Sequence, residues 1–143
     1  MHIWTKFKTK WLAWKTQQRL KRLKLYFPIY CKIHGVSTAD RQGALAQSRA
    51  GDRLQAVHIP LPDKPHNVYV YSIGLNRVLG NLQESFSKKL VKAFGPGFCR
   101  DAVIENITGG APMYELNGCN ICIFNSMEYM QGETDYRALR GDL

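Results

Sequence analysis

The chain has 143 residues, 45% of them apolar, and a formal net charge of +9. That size and composition fit one globular unit with appendages, and they exclude both a disordered chain and two ordinary domains joined by a linker. No window approaches the roughly 18 uninterrupted apolar residues of a spanning helix.

The charge is concentrated in one element. Met1 to Tyr26 carries Lys6, Lys8, Lys10, Lys15, Arg19, Lys21, Arg22 and Lys24 without a single acid, whereas from Phe27 onward 12 basic residues face 11 acidic ones. Trp4, Phe7, Trp11 and Trp14 recur at spacings of three and four, so they fall on one face of a helix. Leu20 and Leu23 leave that face, and Gln17 to Lys24 reads as a solvated, basic continuation. Phe27-Pro28 is expected to end the helix, because proline disfavours α geometry at the preceding residue and has no N–H to donate.

A small β body follows. Ile29 to Val36 is β-branched and aromatic and contains Gly35, which suits a first strand. Thr38 to Ala50 suits one short helix. After the Gly51-Asp52 turn, Arg53 to Ile59 alternates like a half-buried strand. Pro60 to His66 holds three prolines and is expected to be an extended loop. Asn67 to Ser72 and Val78 to Leu82 read as strands joined through the turn Gly74 to Arg77. Ser85 to Phe94 places Phe86, Leu90, Val91 and Phe94 at helical spacing, and Gly95-Pro96-Gly97 stops it. Ala102 to Ile107 and Cys119 to Phe124 complete the strands, and a polar tail runs over 126–143, where Tyr136 and Leu139 are candidates to dock. The class expected is α+β, mainly β: a small OB-like or SH3-like barrel over 28–125, with flanking helices and a basic N-terminal helix over 1–27.

Several landmarks, taken in order, resemble the HIRAN domain. They are the strand ending in Gly35, Ala44-Leu45, Gly51-Asp52-Arg53-Leu54, the loop around Pro60 and Pro62, Val68-Tyr69-Val70, and Val78-Leu79-Gly80-Asn81-Leu82. The helix from Ser85 and the strand Ala102 to Ile107 before Gly109-Gly110 complete the set, which covers roughly residues 29 to 110. The resemblance implies an OB-like barrel that recognises single-stranded DNA and its free 3′ end. Three positions depart from the family pattern. Val36, Ser37 and Thr38 stand where family members carry an arginine and aromatics, Asp63-Lys64-Pro65-His66 stands for an Asn-x-Tyr-Asp loop, and Gln83 and Glu84 stand where a lysine is usual. By position, the barrel's candidate contacts are Ser37, Thr38, Asp63, Lys64, His66, Asn81 and Gln83.

The basic helix admits three readings. It is a nucleic-acid arm in which Lys6, Lys8, Lys10, Lys15, Arg19, Lys21, Arg22 and Lys24 neutralise phosphates while Trp11 and Trp14 stack on bases, an interfacial membrane helix, or a helix whose aromatic stripe packs in the core. The nucleic-acid reading is preferred, because neutral solvation does not explain 26 residues without an acid. Lys88, Lys89, Lys92 and Arg100 offer an optional phosphate track.

Cys119 and Cys122 form a Cys-x-x-Cys, and with Cys31 and Cys99 they have the donor types of a zinc site. On a strand, however, residues three apart face opposite ways, so buried free thiols are expected and no metal. The His and Asp residues show no spacing of nucleophile, base and orienter, and the glycine pairs do not lead from a strand into a helix with Lys-Ser or Lys-Thr. The expectation is a non-enzymatic, cofactor-free binding module. Its first partner is single-stranded DNA, with a partner protein or a second copy of the chain at the tryptophan face as the alternative. Free thiols and the lack of a leader-like apolar stretch point to the cytoplasm.

Overall fold

A computed structural model of the protein describes residues 3–110 and 116–125, with side chains from Lys8 onward. The expected tail over 126–143, with Tyr136 and Leu139, lies outside the described residues, as do the side chains of Trp4, Lys6 and Phe7.

The basic segment forms α1 (Ile3–Arg22). It ends before the proline, for a reason the Phe27-Pro28 rule misses. The Leu25 N–H donates to the Leu20 carbonyl at 2.9 Å and the Lys24 N–H to the Lys21 carbonyl at 3.1 Å. Lys24 sits in the left-handed region at φ 57. This is the Schellman arrangement, in which the apolar residue past the cap packs onto the last turn. Leu20 and Leu25 are both buried, with Leu23 and Phe27 against them. The second half of the helix is therefore not a solvated continuation. Its leucines anchor it to the body, while its cations stay outside. Phe27, whose peptide bond to Pro28 is cis, lies 5.6 Å from the Phe94 ring, centroid to centroid.

The β body is one six-stranded antiparallel sheet: β1 (Ile29–Lys32), β2 (Arg53–His58), β3 (Val68–Ser72), β4 (Arg77–Asn81), β5 (Cys99–Gly109) and β6 (Asn117–Ile123). The strand order is β1-β6-β5-β2-β3-β4, so β2, β3 and β4 form an antiparallel meander. The sheet curls until its edges touch. Past β1, His34 and Asn81 exchange both backbone hydrogen bonds, at 2.7 and 2.8 Å. Gly80 makes this possible, since a Cβ there would stand 2.5 Å from the His34 carbonyl oxygen. A paired edge no longer offers free backbone groups to other chains.

Two helices decorate the sheet, α2 (Ala39–Ala46) and α3 (Glu84–Phe94). Thr38 caps α2, accepting from the Arg41 N–H at 3.3 Å. Gln42 holds α2 to β6: its Nε2 donates to the carbonyls of Val36 and Asn117, and its Oε1 accepts the Asn117 N–H. The main core gathers Leu45, Leu54, Val70, Leu79, Leu90, Ile104 and Ile121, and a smaller cluster of Val57, Ile59, Tyr71 and Cys99 lies apart from it.

The proline-bearing loop is more ordered than an extended connection. Leu61 and Lys64 exchange backbone hydrogen bonds at 3.0 and 3.1 Å, closing a tight turn. Buried His58 holds the loop from beneath. Its Nδ1 accepts the Gly97 N–H at 2.8 Å, so the proton sits on Nε2, 2.8 Å from the Pro65 carbonyl.

Candidate nucleic-acid interface

Two regions gather the residues singled out from the sequence: a cleft where the sheet closes, and α1. The cleft has a volume of about 250 Å³. His34 and Gly35 enter from the end of the first strand, Lys64, His66 and Asn67 from the proline loop, Asn81, Leu82 and Gln83 from the end of β4, and Glu84 and Ser87 from the first turn of α3. The fold thus joins Lys64, His66, Asn81 and Gln83, which are distant in sequence. It adds His34, Asn67, Glu84 and Ser87.

A directed chain of hydrogen bonds forms one wall. Arg41 Nη1 donates to Asn81 Oδ1 at 2.6 Å and to the Gly35 carbonyl. Arginine only donates, so Asn81 presents its oxygen to Arg41 and its Nδ2 to Asn67 Oδ1. Asn67 in turn donates through Nδ2 to the Ile59 carbonyl at 3.1 Å. Each amide orientation follows from the one before. The remaining polar atoms around the cleft include the Ser87 hydroxyl and His66 Nδ1, both buried and without a hydrogen-bond partner among the described residues. The first turn of α3 has no side-chain cap from Gln83, and unpaired N–H groups at a helix start favour anions.

Other expected contacts lie elsewhere. Ser37 and Asp63 are exposed and do not line the cleft. Thr38 caps α2 and lines a second opening of about 330 Å³ with Asp40, Arg41, Tyr69, Asn76, Arg77 and Val78. Sequence reasoning missed Arg41 and Arg77, because nothing in their local spacing distinguishes them from solvated cations. Lys88, Lys89 and Lys92 are exposed on α3, whereas the Arg100 guanidinium lies 3.8 Å from the Phe94 ring centre and donates to the Cys99 carbonyl.

On α1, Trp11 and Trp14 are 45% and 59% exposed. Lys8, Lys10, Lys15, Arg19, Lys21, Arg22 and Lys24 are exposed around them. Lys15 Nζ stands 4.1 Å over the Trp11 ring, so Trp14 is the freer platform. The described part of the tryptophan stripe does not pack in the core.

The four cysteines are free thiols. Burial, then the neighbouring Cys122, pushes the Cys31 thiol up to about 11, and burial, then Cys31, pushes Cys119 up to about 12. Burial raises Cys122 as well, and the hydroxyl of Tyr30, its cross-strand partner, is raised chiefly by the charge of Cys122. Such thiols are poor nucleophiles at neutral pH. Among the described residues, no three His, Cys, Asp or Glu side chains are grouped to hold a metal, and no helix is long and apolar enough to cross a membrane.

No family model, curated protein or solved structure matches the chain.

Proposed function

We propose that this protein is a non-enzymatic nucleic-acid-binding module with single-stranded DNA as its first ligand, built as a HIRAN-like, OB-like barrel preceded by a basic arm. The observation that carries this reading is α1. Two indole rings stand in solvent among seven exposed cations on a segment without acids, and among the described residues the buried leucine of the helix, Leu20, lies in its last turn. Exposed aromatics amid exposed cations suit a strand, whose phosphates meet the lysines and whose bases stack on the rings. The closure cleft supports the same reading as a place for a strand end, since it combines Lys64 and two histidines with oriented amides.

The test is a salt titration of binding to oligo-dT, duplex DNA and anionic vesicles. It compares the full chain with a variant carrying Lys8, Lys10, Lys15 and Arg19 changed to glutamine. Full-length variants are required, because deletion of residues 1–26 would take Leu20 and Leu25 out of the core. The expected result is tightest binding to oligo-dT, falling steeply with salt, with the slope reduced by about 0.7 per charge removed. Vesicle binding tighter than oligo-dT binding, or self-association that the variant leaves intact with no DNA affinity, would overturn the proposal.

A further inference from the structure

We infer that the opening between α2 and the β3-β4 hairpin is a phosphate-oxyanion site, with Arg41 as its rigid fork and Arg77 as its second cation. On the reading under Proposed function, the phosphate it takes belongs to the backbone of the bound strand, and the inference rests on that reading for the source of the phosphate.

Arg41 is held along one edge of its guanidinium. Both of its framework bonds, to Asn81 Oδ1 and to the Gly35 carbonyl, use Nη1, and the guanidinium lies 5.9 Å from the centre of the Tyr69 ring. Nη2 and Nε meet no hydrogen-bond partner among the described residues, yet they are not sealed from solvent. A guanidinium fixed on one edge and open on the other retains the paired donor geometry that matches a phosphate. Because its side chain is already immobilised, binding costs it little rotamer entropy.

Arg77 lines the same opening, is exposed, and has no partner for its side chain among the described residues. Thr38 and Asn76 add polar atoms at the rim. Among the described residues Asp40 is the one carboxylate lining the opening, exposed in the first turn of α2, and it opposes an anion. The opening therefore carries two arginines against one acid. The side chain that links it to the closure cleft is Asn81, which lines that cleft and accepts from Arg41. A strand end in the cleft and an upstream phosphate on Arg41 would lie on two sides of one hydrogen bond.

The experiment uses the full chain and has two arms. In the first, oligo-dT binding is titrated with salt for the wild type, Arg77→Ala and Asp40→Asn. Arg77→Ala should weaken binding about five-fold and lower the salt slope by about 0.7, and Asp40→Asn should tighten it about two-fold. In the second, inorganic phosphate is titrated while the Nε resonances of Arg41 and Arg77 are followed by NMR. Saturable shifts at both identify the opening as the phosphate site, and they do so even where oligo-dT fails to bind, in which case the source is a small phosphate compound and the DNA reading falls alone. Oligo-dT binding with unchanged slopes in both variants and no Nε shift overturns the inference and leaves the DNA reading standing. Failure of both arms overturns both.

Discussion

Arg41 Nη1 lies 2.6 Å from Asn81 Oδ1 and also donates to the Gly35 carbonyl, so one nitrogen on α2 holds the two chain segments that close the sheet. Asn81 is the hinge of that closure, because its backbone pairs with His34 and its side chain must accept from Arg41 and donate to Asn67. Asn81→Asp keeps the acceptor and removes the donor, setting a carboxylate oxygen against Asn67 Oδ1. We expect a loss of about 1–3 kcal/mol in urea unfolding at pH 7, and a smaller loss near pH 3, where a protonated carboxyl can donate again.

Gly80 tests the closure from the backbone side. The Cβ of Gly80→Ala would fall 2.5 Å from a carbonyl oxygen that is itself held in the His34-Asn81 pair. Backbone has no flexible end to swing away, so the edge must part. We expect destabilisation of about 1–3 kcal/mol, with faster amide exchange at His34 and Asn81 than at Val57 or Ile104.

Lys24 is a non-glycine residue in left-handed geometry at the end of α1. Lys24→Gly removes the Cβ conflict and should raise stability by about 0.5–1 kcal/mol, whereas Lys24→Ala should not. Chemical denaturation of the two variants separates the backbone effect from the loss of charge.

The exposed and the buried residues of α1 should behave oppositely on substitution. Trp14→Ala should leave stability within about 0.5 kcal/mol and weaken oligo-dT binding by about 1–3 kcal/mol if the ring stacks on a base. Leu20→Ala, at 3% exposure in the core, should cost about 2–5 kcal/mol of stability. Paired unfolding and binding curves check both.

The raised thiols predict an alkaline limb. The folded state keeps Cys31 and Cys119 protonated up to about 11 and about 12, while the unfolded chain releases those protons near 9. The folded state thus holds more protons between these values, and its stability falls as pH rises from about 9 to about 12. Urea unfolding at pH 8, 9.5 and 10.5 should show the decline, and it should be shallower in Cys119→Ala, measured relative to that variant's own stability at pH 8.

The elements were legible because their signals are local. The β-branched runs, the glycine and proline stops, and the Phe86, Leu90, Phe94 spacing placed α3 and β2 to within a residue or two of their ends. The acid-free basic segment was equally plain, since charge order is a property of the chain itself. The end of α1 was not, because a Schellman turn at Lys24 depends on Leu25 finding buried space beside Leu20, and only packing supplies that. Of the barrel candidates, Lys64, His66, Asn81 and Gln83 converge on one cleft, whereas Ser37 and Asp63 do not. By itself, then, the sequence determined which segments are strand and helix and where the charge lies. Tertiary structure alone decided that Asn81 meets Arg41 across 40 residues and that the edges of the sheet meet at His34, because hydrogen bonds between distant segments depend on how the sheet curls, and no local spacing encodes that.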